Sequence, residues 1–321
     1  MAKQIKFGIG LSQSGVTWAE YMAASQEAEA LGFDSLWNND HFMMPAEGME
    51  PPYMEAWTAL AGQAACTGSI RLGCLVTGNT YRNPALLAKM AVTIDMISNG
   101  RLEMGIGAAW HEREHVAYGW GFPSLKERMD RLEEACQVLK LLWTQEKASF
   151  AGRYYQLQNA VAEPKPVQKP HPPLMVAGSG EKRTLRIVAK YADKCNIPGS
   201  PDAVAQKVDV LKEHCRQVGR DFDEIEVTAG GVCAITDSEA QADRLVQQLA
   251  EQFKATEEAI RAGALLGSSQ RILEAIGRFI GAGVTHLIFT PLERFDIDGK
   301  LGLKGGDQLR RFAREVLPSF R

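Results

Sequence analysis

Short apolar segments alternate with longer helical patterns along almost the whole of this 321-residue chain. Between those segments, apolar residues recur at three- and four-residue steps, which is the period of an amphipathic helix. Eight segments are predicted to be strands: Ile5–Gly10, Ser35–Trp37, Arg71–Val76, Leu102–Ile106, Leu174–Ala177, Lys194–Ile197, Glu226–Ile235 and Thr285–Phe289. Eight strand–helix units in a chain of this length predict an α/β fold, the (β/α)8 TIM barrel, with a doubly wound sheet as the alternative.

Three connections are longer than a simple strand–helix turn requires. Residues 38–54 follow the second strand, and residues 236–270 are predicted to be a helical insertion between the seventh and eighth strands. Residues 146–173 are predicted to hold a hairpin around Gly152 and Arg153, followed by a proline-rich spacer. Few linker-like stretches interrupt the alternation, so residues 1–321 are predicted to form a single domain.

Charge and composition limit the kinds of molecule that the protein is expected to bind and the compartment in which it is expected to lie. The net charge of −3 offers no basic surface for nucleic acid or for an anionic membrane. No apolar run is long enough to cross a bilayer, and no signal peptide is visible. The six cysteines form no C-x-x-C pair and lie mostly in apolar periodic segments, which predicts buried, reduced thiols in a cytoplasmic protein.

Polar residues follow two of the predicted strands at the end where barrel enzymes keep their sites. Asp40 and His41 end the second strand, and this ionisable pair favours a catalytic role over a simple loop cap. Thr77 and Asn79 follow the third strand, where a ligand contact and a plain turn are equally good explanations.

The fifth strand ends in a glycine-rich turn, Gly178-Ser179-Gly180, before a helix that is predicted to begin near Glu181. Backbone amides at a helix N-terminus bind anions, and the Thr184 hydroxyl lies in the first turn. The pattern is compatible with a phosphate seat or with a tight turn alone.

Residues 111–115 read H-E-R-E-H, which matches the H-E-x-x-H pattern of zinc peptidases. In those enzymes the pattern lies inside a helix and its variable positions are apolar, whereas here they are Arg113 and Glu114. The stretch also follows a predicted strand, which favours the polar start of a short helix. A zinc hydrolase is kept as the alternative from a different class.

Four blocks of the chain together resemble the luciferase-like family of flavin- and deazaflavin-dependent oxidoreductases. They are "GFDSLWNNDHF" (32–42), "RLGCLVTGNTYRNPALLAK" (71–89), "ISNGRLEMGIGAAWHEREHVAYG" (97–119) and "PLMVAGSGEKRTLRIVAKYADKCN" (173–196). The chain is most similar to the branch that uses coenzyme F420, a 5-deazaflavin with a phosphate-bearing tail. The resemblance implies a (β/α)8 barrel whose cofactor ring lies across the C-terminal mouth.

The resemblance also implies roles for individual residues. Strand three of the family carries a non-proline cis peptide against the ring, and the matching bond here is Leu75–Val76. His41 is implied as the proton donor or acceptor, and Asp40 either orients it or contacts the ring. The remaining implied cofactor contacts are Thr77, Asn79, Gly107, Ala108, Ala109, Gly178, Ser179, Gly180, Thr184 and Asn196.

The implied reaction is hydride transfer between F420 and a small organic substrate. Trp110 and His111 are the candidate substrate contacts, and family members are often homodimers. Sugar-phosphate dehydrogenases of the family carry a glutamate and a tryptophan where this chain has Trp110 and Pro45, which argues against a sugar phosphate. An FMN-dependent monooxygenase and a cofactor-binding barrel without turnover are the alternatives.

Overall fold

The computed structural model describes residues 4–44, 50–295 and 307–321. Its strands are β1 (Lys6–Gly10), β2 (Ser35–Asn38), β3 (Arg71–Cys74), β4 (Thr77–Gly78), β5 (Leu102–Gly107), β6 (Ala148–Ala151), β7 (Gln156–Ala160), β8 (Leu174–Ala177), β9 (Lys194–Asn196), β10 (Glu226–Ala229), β11 (Val232–Ile235), β12 (Leu265–Gly267) and β13 (His286–Pro291). Its helices are α1 (Trp18–Ala30), α2 (Ala56–Cys66), α3 (Pro84–Ile97), α4 (Glu112–Ala117), α5 (Leu125–Thr144), α6 (Thr184–Tyr191), α7 (Pro201–Val218), α8 (Glu239–Phe253), α9 (Glu257–Gly263), α10 (Ser269–Gly281) and α11 (Gln308–Glu315).

Eight of these strands form a closed parallel barrel in the order β1, β2, β3, β5, β8, β9, β10 and β13, with β13 pairing back to β1. The predicted (β/α)8 barrel is therefore confirmed. Parallel strands place all their carboxyl ends at one mouth, so the loops after β2, β5, β8 and β9 meet there.

Serine hydroxyls cap the N-termini of two helices, α5 and α8. The Ser124 hydroxyl caps α5 by accepting from the Glu127 amide, and Ser238 caps α8 by accepting from Gln241. The returning half of a capping box is not formed at Ser124, because the Glu127 carboxylate pairs with Arg131 one turn later.

Two predicted strands end earlier than expected. Glu226–Ile235 divides into β10 and β11 at Gly230, whose φ of +149° brings its backbone against the Ile288 carbonyl. The predicted strand Arg71–Val76 ends at Cys74, and the Leu75–Val76 peptide that follows it is cis.

The two longer insertions also have defined elements. The predicted hairpin is confirmed as β6 and β7, which pair antiparallel. Residues 236–270 hold α8 and α9, as predicted, together with the unpredicted strand β12, which pairs with β11. The assignment of the whole chain to a single domain stays a prediction.

The barrel interior below the mouth contains buried charges that the strand pattern did not reveal. Lys194 lies between two carboxylates, 2.6 Å from Glu103 and 2.9 Å from Glu226. The His286 ring joins the Glu226 carboxylate at 3.0 Å to the Ser35 hydroxyl at 2.8 Å. Burial opposes ionisation of Glu226, but His286 and Lys194 outweigh it and hold the pKa of Glu226 well below its usual range.

All six cysteines are free, and five of them are buried, as predicted; Cys66 is exposed. Burial raises the pKa of Cys136 and of Cys195 to about 12, so both are inert as thiols near neutral pH. Within the three described ranges, none of the helices is both long and apolar enough to cross a membrane.

Gly105→Ala should destabilise the barrel. A Cβ at Gly105 would lie 2.1 Å from the Cys74 carbonyl oxygen, and backbone cannot move aside cheaply. Overpacking of this kind costs about 1–3 kcal/mol of unfolding free energy, measurable by urea denaturation. Gly277→Ala is the control, since nothing lies within 4 Å of its Cβ position in α10, and it should be neutral or stabilising. Equal stability of the two variants would contradict this account.

Candidate active site

A cavity of about 1170 Å³ opens at the C-terminal mouth of the barrel. Strand ends and the loops that follow them supply most of its wall, and α5, α6 and α7 supply the rest. Its lining includes Asp40, His41, Leu75, Val76, Thr77, Gly78, Tyr81, Gly107, Ala108, Ala109, Trp110, Met129, Gly178, Ser179, Gly180, Lys182, Arg183, Thr184, Asn196 and Lys207. One continuous volume therefore joins the Asp40-His41 pair to the glycine-rich turn after β8.

The cavity floor is the Leu75–Val76 peptide, and its predicted cis geometry is confirmed. Both side chains pack against the buried cluster of Trp37, Met175 and Ile288. The Trp37 indole nitrogen donates to the Ser35 hydroxyl at 2.8 Å. A Cβ on Gly107 would lie 2.9 Å from Val76, so this glycine makes room for the bulge itself. Gly107, the last residue of β5, thus leaves space for the floor from the neighbouring strand.

Asp40 is a buried carboxylate that joins the ends of two strands. Its oxygens accept from the Gly78 amide at 2.9 Å and from two nitrogens of Arg82 at 2.7 and 3.0 Å. Burial raises the pKa of Asp40, and the fork-shaped pairing with Arg82 opposes that shift. Arg82 also pairs with Glu55 at the start of α2.

His41 hydrogen-bonds Glu114 rather than Asp40. The two atoms are His41 Nδ1 and Glu114 Oε2, 3.1 Å apart. The prediction that Asp40 orients His41 is therefore wrong, because the Asp40 oxygens face Gly78 and Arg82. The second predicted role of Asp40, contact with the cofactor ring, stays a prediction.

The H-E-R-E-H stretch forms the short helix α4, as predicted. The His115 ring is held within the protein, with Nε2 2.6 Å from the Thr80 hydroxyl and Nδ1 2.8 Å from the His111 carbonyl. His111 instead stacks on Trp110, with ring centroids 5.1 Å apart. In the described part of the chain, no group of three or more His, Cys, Asp or Glu residues is arranged to hold a metal ion.

The glycine-rich turn 178–180 leads into α6, which begins at Thr184, three residues later than Glu181. The Gly178 amide donates to the Asn196 carbonyl at 3.0 Å, so the ends of β8 and β9 are tied together at this turn. Lys182, Arg183 and Lys207 line the cavity here together with Glu181, which pairs with Lys207, while Arg183 pairs with Asp130. Three lining cations against one lining carboxylate give this end a positive charge. The turn combines backbone amides, a hydroxyl and positive charge, which are the groups that an anion-binding site needs.

A family model described as luciferase-like monooxygenase matches residues 3–274. The chain belongs to this family. An F420-dependent glucose-6-phosphate dehydrogenase of Amycolatopsis mediterranei is 36% identical over 169 residues, covering 52% of this chain and 48% of that protein, about half its length. Another protein of that name, from Kineococcus radiotolerans, is 29% identical over 327 aligned positions, covering 92% and 91% of the two chains. A solved structure of an F420-dependent secondary alcohol dehydrogenase in complex with an F420-acetone adduct shares the fold, with a TM-score of 0.84, 20% identity and 99% of both chains covered.

The resemblance to the luciferase-like family read from the sequence is thus confirmed, and most of the implied residues lie around one cavity. Two do not line it. Asn79 is buried with its amide nitrogen 3.4 Å from the Tyr155 hydroxyl, and His111 lies behind Trp110. No described residue of the two long connections, 38–54 beyond His41 and 236–270, lines the cavity either; Pro45 lies outside the described residues.

Three residues of this luciferase-like site were missed by the sequence analysis: Tyr81, Arg82 and Glu114. Each carries a polar group on a loop or on a six-residue helix, where no periodic pattern separates inward from outward positions. The nearness of Arg82 to the third strand end was the one available signal, since Asp40 needs a buried counter-charge.

Arg82→Ala should destabilise the protein strongly, because it leaves the Asp40 carboxylate buried without its partner. Removing one member of a buried ion pair costs about 3–5 kcal/mol of unfolding free energy. Urea denaturation would measure the loss. Arg310→Ala is the control, since the Arg310–Glu27 pair is exposed, and it should cause no measurable change. Equal losses of unfolding free energy in the two variants would show that the Asp40–Arg82 pair stabilises the protein no more than an exposed ion pair does.

Proposed function

We propose that this chain is an F420-dependent oxidoreductase of the luciferase-like family, which transfers a hydride between the deazaflavin and a small organic substrate. The observation that carries the proposal is the single cavity joining His41 and the cis-peptide floor to the cationic turn 178–184. Two relatives of this chain are named F420-dependent glucose-6-phosphate dehydrogenase. An elongated cofactor with a flat ring and an anionic tail matches this distribution of groups.

The residues present fit such a cofactor. At the ring end, the bulge at Leu75–Val76 and the small side chains of Ala108 and Ala109 leave a broad, uncharged surface. At the tail end, the Thr184 hydroxyl lines the cavity and hydrogen-bonds no described residue, and Lys182 lies beside it. A phosphate-bearing tail would take its hydrogen bonds from Thr184 and the backbone amides of the turn.

When bound, the deazaflavin supplies hydride chemistry, while the protein positions the substrate and manages the proton. His41 is the proton donor or acceptor of the proposal, since its ring lines the cavity and an imidazole has nitrogens that can donate and accept a proton. Trp110 is 63% exposed at the rim, next to His41, where its indole can contact a substrate.

Two further parts of the proposal concern the whole protein. The six free thiols support a reducing compartment such as the cytoplasm. The family resemblance supports a homodimer.

Titration with F420 and with FMN tests the cofactor. F420 should bind and change its fluorescence, while FMN, the cofactor of the alternative monooxygenase function, should bind more weakly. Tight binding of FMN with no binding of F420 would overturn the proposal.

Thr184→Val should weaken F420 binding, because the hydroxyl is exchanged for a methyl group of equal size at the seat. Loss of a hydrogen bond to a charged group costs about 1.5–3 kcal/mol, or roughly ten- to a hundredfold in Kd. Thr93→Val is the matched control, since its hydroxyl bonds the Lys89 carbonyl on the exposed face of α3. Unchanged Kd in Thr184→Val would place the tail elsewhere.

His41→Ala should slow hydride transfer while leaving F420 binding nearly intact. Loss of a positioned acid or base typically lowers the rate about 10²–10⁴-fold. Stopped-flow measurement of F420 reduction or oxidation would give the rate, and the fluorescence titration would give the Kd. A wild-type rate in this variant would remove His41 from the proposed chemistry.

A further inference from the structure

The second glutamate of the H-E-R-E-H stretch, Glu114, is a fully buried carboxylate next to His41. Its Oε1 atom accepts from the backbone amides of Phe42 at 2.5 Å and of Met43 at 3.2 Å. Its Oε2 atom accepts from the Tyr81 hydroxyl and from His41 Nδ1. Four donors from two different loops therefore converge on one side chain of α4.

These donors keep Glu114 ionised. Burial alone would raise the pKa of Glu114, but the bonds from His41, Tyr81 and the Phe42 amide outweigh it and lower that pKa to about 2. An ionised carboxylate has acceptors only, so the hydrogen on the bond between the two side chains belongs to His41 Nδ1. The other ring nitrogen, Nε2, then carries a free electron pair whenever the imidazole is neutral.

The surroundings of the His41 ring leave Nε2 available. Trp110 and His111 contact the ring through their aromatic faces or edges, with centroids 5.5 and 5.8 Å away. Among the described residues, Glu114 is the one hydrogen-bond partner of the His41 side chain, and that ring lines the cavity. The same Oε2 atom holds Tyr81, which lines the cavity from the loop after β4.

We infer that Glu114 is a positioning residue, which holds His41 in the tautomer with hydrogen on Nδ1 and its free Nε2 available to the substrate. The consequence for catalysis rests on the proposed function, whereas the tautomer of His41 does not depend on it. With the deazaflavin bound to supply hydride chemistry, Nε2 of His41 would accept the proton released when the substrate is oxidised and would return it in the reverse direction. Without Glu114, neutral His41 can carry its hydrogen on Nε2 instead. That nitrogen then has no free electron pair with which to accept a proton from the substrate.

The tautomer can be measured directly in cofactor-free protein. Nitrogen-15 NMR of labelled histidine distinguishes the protonated from the unprotonated ring nitrogen, and His41→Ala assigns the signals. Wild-type protein should show hydrogen on Nδ1 of neutral His41, and Glu114→Gln should shift the hydrogen toward Nε2. Glu112→Gln is the matched control, because Glu112 is exposed in the same helix and its change should leave the His41 signals unaltered. Identical His41 signals in wild type and Glu114→Gln would overturn the inference.

Glu114→Asp is the second variant, for use if the buried amide prevents folding. It keeps the charge but withdraws the carboxylate by about one bond length, so the bond to His41 should be lost and the same NMR change should appear. Unchanged His41 signals in this variant would equally overturn the inference.

A double-mutant cycle tests whether Glu114 acts through His41. Glu114→Gln alone should lower kcat roughly ten- to a hundredfold, as for other partners that orient a functional histidine. In the His41→Ala background, the same change should alter kcat less than twofold. Additive losses would show that Glu114 acts only through general stability and would overturn the inference. Absence of F420 binding in wild type would overturn the proposed function instead, and the NMR result would still decide the role of Glu114.

Discussion

The buried pairing of Asp40 with Arg82 is the interaction on which the mouth of this barrel depends. Asp40 lies in the loop after β2, and its carboxylate accepts hydrogen bonds from the Gly78 amide and the Arg82 guanidinium, which both follow the cis peptide. Because the Asp40 carboxylate is nearly inaccessible to water, removing Arg82 would leave a buried charge without its partner. The floor of the cavity and the loop that carries His41 are thereby fixed to each other.

Two carboxylates near the cavity have different surroundings and so different tasks. Asp40 is matched by a permanent cation, and this pairing holds two loops together. Glu114 is matched by hydrogen-bond donors, two from backbone amides and two from side chains that line the cavity. A carboxylate held in this second way sets the orientation of its donors, which is why we assign the positioning of His41 to Glu114.

Much of the fold could be predicted from residue patterns because the core imposes them. Strands of a parallel barrel are buried on both faces and read as continuous apolar runs, while the outer helices show a three- to four-residue period. The pattern failed at Gly230 and at Leu75–Val76, where the backbone leaves the ladder although the residues remain apolar. Side-chain character alone does not encode such departures.

The sequence by itself determined the barrel, the family and the strand ends at which Asp40, His41 and the turn 178–180 lie. These features follow from order along the chain, since parallel strands bring all their carboxyl ends to one mouth. Only the tertiary structure decided which side chain bonds which: Asp40 pairs with Arg82, and His41 bonds a residue that is 73 positions away. Those choices depend on angles and distances between loops, which residue identity and spacing do not specify.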